Sequence, residues 1–110
     1  MNIIIRWMDI EKSNTPEVSF LSRYREEKLN LQNIAMRKRN LASEYLLRHC
    51  LDEKGIITDG KLNISVSESG KPYLSDIPVH FNISHSANIV ACAISECNIG
   101  IDVQKRSNYN

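Results

Sequence analysis

Long apolar runs, aromatic residues and a strong net charge are all scarce in this chain of 110 residues. No stretch approaches the ~20 apolar residues that a membrane-spanning helix requires, and no small-residue cleavage site follows the short apolar N-terminus. The net charge of +1 gives no overall field that attracts nucleic acid or membrane. Aromatic residues form 6% of the chain, and no RNA-binding or helix-turn-helix pattern is present. We therefore expect neither nucleic acid nor membrane among the partners.

Cysteine is also sparse. Cys50, Cys92 and Cys97 are odd in number and include no C-x-x-C pair. This pattern disfavours both a disulfide framework and a zinc site. It agrees better with reduced, mostly buried thiols in a cytoplasmic protein.

The order of apolar patterns predicts one α+β domain over residues 1–110. A strand is expected at 2–8, a first helix from Pro16 to about Asn30, and a second helix from about 33 to 54 that Gly55 stops. Shorter strands should follow at 62–66, 79–83, 89–94 and 99–103. This order predicts a largely antiparallel sheet packed by two helices.

Helical spacing divides the second helix into two faces. The residues expected to face the core are Leu41, Tyr45, Leu46, Cys50, Leu47 and Leu51. The residues expected off that face or at its edge are Arg37, Lys38, Glu44 and Arg48. The two arginines considered below, Arg39 and Arg48, both lie on this helix.

Asp102 is a single carboxylate in an otherwise apolar strand. A carboxylate in such a place is hydrogen-bonded, ion-paired or bound to a metal. Alternation puts Gln104 on the same face, and hard oxygen donors of this kind suit Mg²⁺. Taken alone, an exposed Asp at the start of a turn explains the pattern as well.

The segment Ser84-His85-Ser86 is expected to form a turn at a strand end. Exposed backbone N–H groups, hydroxyl donors and the ring N–H of His85 could bind a phosphate there. A solvated turn with a structural histidine is the plainer alternative. A hydrolase triad of Ser84, His85 and Asp102 is disfavoured, since adjacent strand residues point opposite ways and no G-x-S-x-G elbow is present.

Three basic side chains are further candidates for phosphate binding. Lys71 lies in a rigid turn with Gly70 and Pro72 and offers one point charge. Arg39 and Arg48 could grip phosphate bidentately from the second helix. A hairpin lysine in water and a solvated helix face are the alternatives for these residues.

Taken together, these pieces resemble the N-terminal half of an Sfp-type 4′-phosphopantetheinyl transferase. The resemblance covers nearly the whole chain and is firmest from about Arg37 onward. Its matching segments are RNL at 39–41, LLR at 46–48, GKP at 70–72, FNISHS at 81–86 and GIDV at 100–103. It implies one lobe of the pseudodimeric fold of that family, with the site between two similar halves.

The resemblance also implies a reaction. Enzymes of this family move the phosphopantetheine arm of coenzyme A onto a serine of an apo acyl or peptidyl carrier protein, with Mg²⁺ at the pyrophosphate. Asp102 would be the first metal ligand, with Gln104 beside it. His85 and Arg39 would hold the 3′-phosphate region, with His85 also the candidate catalytic residue. Lys71, Pro72 and Ser84 would line the adenine and ribose side, and Arg48 would join the cofactor site.

Two departures from the family pattern bear on activity. The family often has Glu where this chain has Gln104, and Gln is a weaker ligand. The second carboxylates and the catalytic lysine belong to a second half, so we expect this chain alone to be incomplete and a second lobe or a homodimer partner to complete it. The alternatives are a non-catalytic coenzyme A- or nucleotide-binding module and a small α+β interaction domain.

Overall fold

The computed structural model describes residues 3–12, 22, 24, 34–58 and 60–96. This part of the chain contains five strands and one helix: β1 (Ile4–Asp9), α1 (Ile34–Glu53), β2 (Ile64–Val66), β3 (Pro72–Leu74), β4 (His80–Ser86) and β5 (Ile89–Ser95). The predicted α+β class is confirmed. One helix is described, not the two expected. Apart from Ser22 and Tyr24, the first predicted helix lies outside the described residues, as does the strand expected at 99–103.

The main sheet has the strand order β1-β5-β4, and both pairings are antiparallel. In the centre, β5 is an almost continuous apolar run whose residues from Val90 to Ser95 are all buried. Ala91 pairs with Trp7 of β1 on one side and Ser84 of β4 on the other. A separate hairpin is formed by β2 and β3, with Ser65 opposite Tyr73.

The core lies between α1 and one face of the main sheet. Alternate residues of β5 point toward the helix and are fully buried: Val90, Cys92 and Ile94. The helix meets them with Leu46, Leu47, Cys50 and Leu51, which are also buried. In the described part of the chain, α1 is not long and apolar enough to cross a membrane.

Two predictions about the faces of α1 are wrong. Tyr45 was expected in the core, but 41% of it is exposed. Glu44 was expected off the core face, but it is fully buried. The reason is that α1 is covered over more than half of its circumference. Besides the sheet, Ser22 lies against it, and the Ser22 Oγ donates to the Glu44 Oε1 at 3.0 Å.

The buried charge of Glu44 has a cationic partner one turn along the helix. The Arg48 Nε lies 3.6 Å from the Glu44 Oε2. The same guanidinium donates from Nη2 to the carbonyl of Gly60 at 2.7 Å and from Nη1 to that of Thr58 at 3.5 Å. Arg48 therefore joins the helix to the segment that follows it.

The end of α1 is built as the sequence predicts. Gly55 has a φ of +87°, a conformation that favours glycine. Its N–H donates to the carbonyl of Asp52, and the N–H of Ile56 donates to that of Leu51, both at 2.9 Å. These two bonds form a Schellman motif that satisfies carbonyls left open at the helix end.

A second ion pair ties β1 to the last turn of α1. The Arg6 guanidinium hydrogen-bonds to Glu53, and this bond is the main cause that lowers the pKa of the Glu53 carboxyl. His49 lies 3.1 Å from the same carboxylate. Because these groups are solvent-accessible, the network contributes more to the position of β1 than to stability.

The turn between β4 and β5 contains a strained residue. Ser86 pairs with Ile89, so Ala87 and Asn88 form a two-residue loop, and Ala87 has a φ of +52°. Two-residue hairpins favour Asn or Gly at such positions because Ala is disfavoured in the left-handed region. We expect Ala87→Asn to raise the free energy of unfolding by about 0.5–1 kcal/mol in urea denaturation. Ala87→Val should lower it, because β-branched residues tolerate positive φ poorly. Equal stability of the two variants would contradict the strain.

Candidate ligand-binding site

Arg39 and His85, assigned from sequence to the same phosphate group, do lie together. Arg39 is on α1 and His85 is near the end of β4, on the face of the sheet that packs against the helix. Both line a pocket of about 110 Å³. Met36, Asn40 and Ser43 complete its lining. The pocket thus joins the first half of the helix to the edge strand.

The Arg39 guanidinium carries a buried donor at this pocket. Its Nε is buried and has no hydrogen-bond partner among the described residues. One turn further on, the buried Ser43 hydroxyl donates to the Arg39 carbonyl at 2.7 Å. Asn40 donates to the carbonyl of Met36 at 3.1 Å. A buried donor of this kind favours an anionic acceptor in the pocket.

Lys71 and Pro72 line a second cavity of about 240 Å³. Its other lining residues come from β4: Phe81, Asn82 and Ile83. The turn between β2 and β3 is closed by a hydrogen bond of 2.8 Å from the Ser67 N–H to the Lys71 carbonyl, and Gly70 within it has a φ of +87°. The predicted turn at this place is confirmed. Pro72 begins β3, a position that a residue without an N–H can occupy.

The two cavities are neighbours along β4. Ile83 lines one and His85 lines the other, and residues two apart on a strand are separated by about 7 Å on the same face. The lining residues of both cavities include basic side chains and no Asp or Glu. The charge of both cavities therefore favours an anionic ligand.

The prediction of a turn at residues 84–86 is wrong. All three residues belong to β4, and the turn is at Ala87 and Asn88. Because side chains alternate along a strand, Ser84 points to the face opposite that of His85. Its pairing partner, Ala91, lies on that opposite face of the sheet as well. Ser84 is thus not brought into the pocket of Arg39 and His85.

Arg48 is also not in this pocket. It lies nine residues after Arg39, and α-helical geometry places such residues about 180° apart around the axis. Its guanidinium contacts Glu44 and the carbonyls of Thr58 and Gly60. These contacts favour a structural role, and the assignment of Arg48 to a cofactor stays a prediction.

Asp102 and Gln104, the predicted metal ligands, lie outside the described residues. Within residues 3–12, 22, 24, 34–58 and 60–96, no group of three His, Cys, Asp or Glu side chains is placed to hold a metal ion. The oxygen donors of the two residues remain chemically suited to Mg²⁺. The metal site stays a prediction.

A larger cavity, about 580 Å³, lies elsewhere and has the opposite charge character. It is formed around β3 and the start of β4, where Asp76 and Glu96 are among the lining residues and no Lys or Arg is. Lys54 contacts the Glu96 carboxylate at 3.0 Å. Size alone would select this cavity, but its carboxylates are unsuited to a phosphorylated ligand.

Several residues that line the two cavities were not predicted from the sequence to bind a ligand. On α1, Met36, Asn40 and Ser43 lie beside Arg39 at spacings of three, one and four residues. Asn82 of β4 lines the second cavity together with Lys71. Helical spacing of three and four residues from Arg39 could have identified Met36 and Ser43 from the sequence, whereas the adjacent Asn40 does not follow from that spacing. The position of Asn82 depends on how β4 packs beside the turn.

No family model matches the chain. Among curated proteins, 4′-phosphopantetheinyl transferase Sfp of Bacillus subtilis (strain 168) is 33% identical over 97 residues, which are 86% of this chain and 43% of that protein. The 4′-phosphopantetheinyl transferase gsp of Aneurinibacillus migulanus is 39% identical over 75 residues, 68% of this chain and 31% of that protein. The chain thus spans less than half the length of these relatives, and the resemblance inferred from the motifs is confirmed.

Proposed function

Since this chain is related to the Sfp-type 4′-phosphopantetheinyl transferases, we propose that it supplies the coenzyme A-binding lobe of such an enzyme. The reaction would move 4′-phosphopantetheine from coenzyme A to a serine of an apo acyl or peptidyl carrier protein. The observation that carries the proposal is the shared pocket of Arg39 and His85. Two residues far apart in sequence, which the family resemblance assigns to one phosphate, line the same small cavity.

The charge of the site supports an anionic cofactor. Coenzyme A carries a 3′-phosphate and a pyrophosphate, and the Arg39 guanidinium can bind phosphate oxygens in a bidentate manner. His85 offers a ring N–H from the strand side of the same pocket. The cavity of Lys71 and Pro72 is placed to take the neighbouring ribose and adenine, with Phe81 as part of its apolar wall.

These residues would bind and orient the cofactor for attack at its β-phosphate. The carrier serine hydroxyl forms the new P–O bond, its proton is taken up, and 3′,5′-ADP leaves. Arg39 and His85 would hold the leaving nucleotide at its 3′-phosphate and so keep the pyrophosphate in one place. Asp102 and Gln104 would hold Mg²⁺, which when bound offsets negative charge at the pyrophosphate.

The outer face of the sheet is the surface that we propose for a second lobe. Ile5 and Trp7 of β1 point away from α1 and are 48% and 65% exposed. Ile3 beside them is also exposed, and β1 has no strand on its outer edge among the described residues. An exposed apolar edge strand favours association. The relatives contain more than twice the length that this chain matches in them, which supports a second lobe as the occupant.

The proposal is tested by mass spectrometry of an apo acyl carrier protein incubated with coenzyme A, Mg²⁺ and this chain. The C-terminal half of an Sfp-type relative is either absent or added. We expect one phosphopantetheinyl group to be gained only when that half is present. Trp7→Glu should reduce this rescue, while Val66→Lys, a change at an exposed apolar residue of the other sheet, should not.

Binding of 3′,5′-ADP to the chain alone, measured by calorimetry, separates the parts of the proposal. Binding without transfer in either arm would favour a non-catalytic coenzyme A- or nucleotide-binding module. Transfer without the added half would show that the chain is sufficient and that the second lobe is not required. If the chain neither binds 3′,5′-ADP nor supports transfer, the proposed function is contradicted.

A further inference from the structure

Two buried thiols face each other between α1 and β5. Cys50 lies on the helix and Cys92 on the central strand, and both are fully buried cysteines that are not in a disulfide. The Cys50 Sγ lies 4.0 Å from the Cys92 carbonyl oxygen. A hydrogen bond with the Cys92 side chain is the main cause that lowers the pKa of the Cys50 thiol. The proposed transferase function makes no use of this pair.

A bond between Cys50 and Cys92 would connect two central elements of the fold. The thiols are 42 residues apart in sequence, and β5 pairs with both other strands of the sheet. A bond between them would join the only described helix to the centre of the sheet. Cys50 lies eleven residues after Arg39, which is about three helical turns, so the two side chains lie on nearly the same face of α1.

We propose that Cys50 and Cys92 form a reversible disulfide that locks α1 onto β5 when the protein meets a small-molecule disulfide oxidant. This inference does not rest on the proposed function. Disulfide geometry requires β-carbons within roughly 4.5 Å and side chains directed toward each other. Cys50 and Cys92 belong to one buried cluster, and the Cys50 Sγ is directed at residue 92, which agrees with the second condition.

The chemistry is two successive thiol–disulfide exchanges. The Cys50 thiolate attacks one sulfur of the oxidant, forms a mixed disulfide and releases one small thiolate. The Cys92 thiolate then attacks the Cys50 sulfur and releases the second. The two thiol protons end on the two released thiolates, so the protein is oxidised and the oxidant reduced by two electrons. Since both thiols are buried, the first step requires a transient opening between α1 and β5.

The test uses Cys97→Ser, so that only one intramolecular disulfide can form. The chain is equilibrated in mixtures of reduced and oxidised glutathione, quenched with N-ethylmaleimide and weighed by mass spectrometry. We expect a species that has lost two hydrogen atoms and takes up no maleimide, and that dithiothreitol converts back. The equilibrium ratio of disulfide to dithiol should be on the order of 100-fold higher in the folded chain than in the same chain in urea. The reason is thermodynamic linkage: a disulfide that stabilises the fold is itself favoured by folding.

Two controls keep the outcome clear. Cys97→Ser with Cys92→Ala should never show the oxidised species that lacks maleimide. Peptide mapping of the unaltered chain under non-reducing conditions should link Cys50 to Cys92, which covers the case in which a variant fails to fold. The proposal is overturned if the disulfide-to-dithiol ratio in the folded chain is no higher than in urea. It is also overturned if the peptide map links Cys50 or Cys92 to Cys97 instead.

Discussion

Replacement of Arg48 by alanine is expected to lower the free energy of unfolding by about 3–5 kcal/mol, because it removes a cation that pairs with a buried carboxylate. Glu44 is fully buried, and the Arg48 Nε is 3.6 Å from it. The same change also removes the donors to the carbonyls of Thr58 and Gly60. Urea denaturation followed by circular dichroism measures the effect.

A double variant shows whether the loss comes from the unpaired charge. Glu44→Leu combined with Arg48→Met removes both charges and should recover most of the stability, since apolar replacement of a buried pair is often neutral. Arg37→Ala, a change at an exposed arginine of the same helix, should stay within about 0.5 kcal/mol of the unaltered chain. If Arg48→Ala left stability intact and weakened 3′,5′-ADP binding, Arg48 would belong to the cofactor site after all.

Replacement of Arg39 by alanine is expected to weaken binding of 3′,5′-ADP by about 10- to 100-fold. A charged hydrogen bond contributes about 1.5–3 kcal/mol, and each 1.4 kcal/mol corresponds to about tenfold in affinity. The Arg39 Nε is buried in the pocket without a partner among the described residues, so a bound phosphate would supply the missing acceptor. Calorimetry with the chain alone gives the dissociation constant.

The neighbouring residue provides the matched control for this measurement. Lys38 carries the same charge on an exposed part of α1 and does not line the pocket, so Lys38→Ala should change the affinity less than about threefold. Arg39→Lys should give an intermediate loss, since lysine keeps the charge but not the planar fork. Equal effects of the alanine changes at Lys38 and Arg39 would mean that the pocket is not the phosphate site.

Local signals in the sequence identified most of the described elements. The Ile-rich start predicted β1, Gly55 predicted the end of α1, and Gly70 with Pro72 predicted the turn after β2, although the strand β3 that begins at Pro72 was not predicted. These features depend on neighbouring residues alone. The joint position of Arg39 and His85 was anticipated by another route, the resemblance to known transferases, because no local rule relates a helix residue to a strand more than 40 positions away.

Features that depend on tertiary packing and strand pairing were not predicted from the sequence. Glu44 was expected off the core face or at its edge, yet it is fully buried and accepts a hydrogen bond from the Ser22 hydroxyl. Residues 84–86 look like a turn because small polar residues favour turns. They continue β4 instead, because pairing with β5 reaches Ser86. Tertiary pairing here overrides local preference.

The pairing of β1 with β5 joins the two ends of the described chain, since Ile4 lies opposite Ile94. During synthesis, β1 leaves the ribosome before the other described elements and remains without its partner until almost all of them have been made. For that interval its isoleucines and Trp7 are exposed on an unpaired strand, the condition in which nascent chains aggregate or recruit chaperones. A chain that stops before β5 lacks the pairing partner of both β1 and β4. The main sheet can therefore form only after β5 has been synthesised.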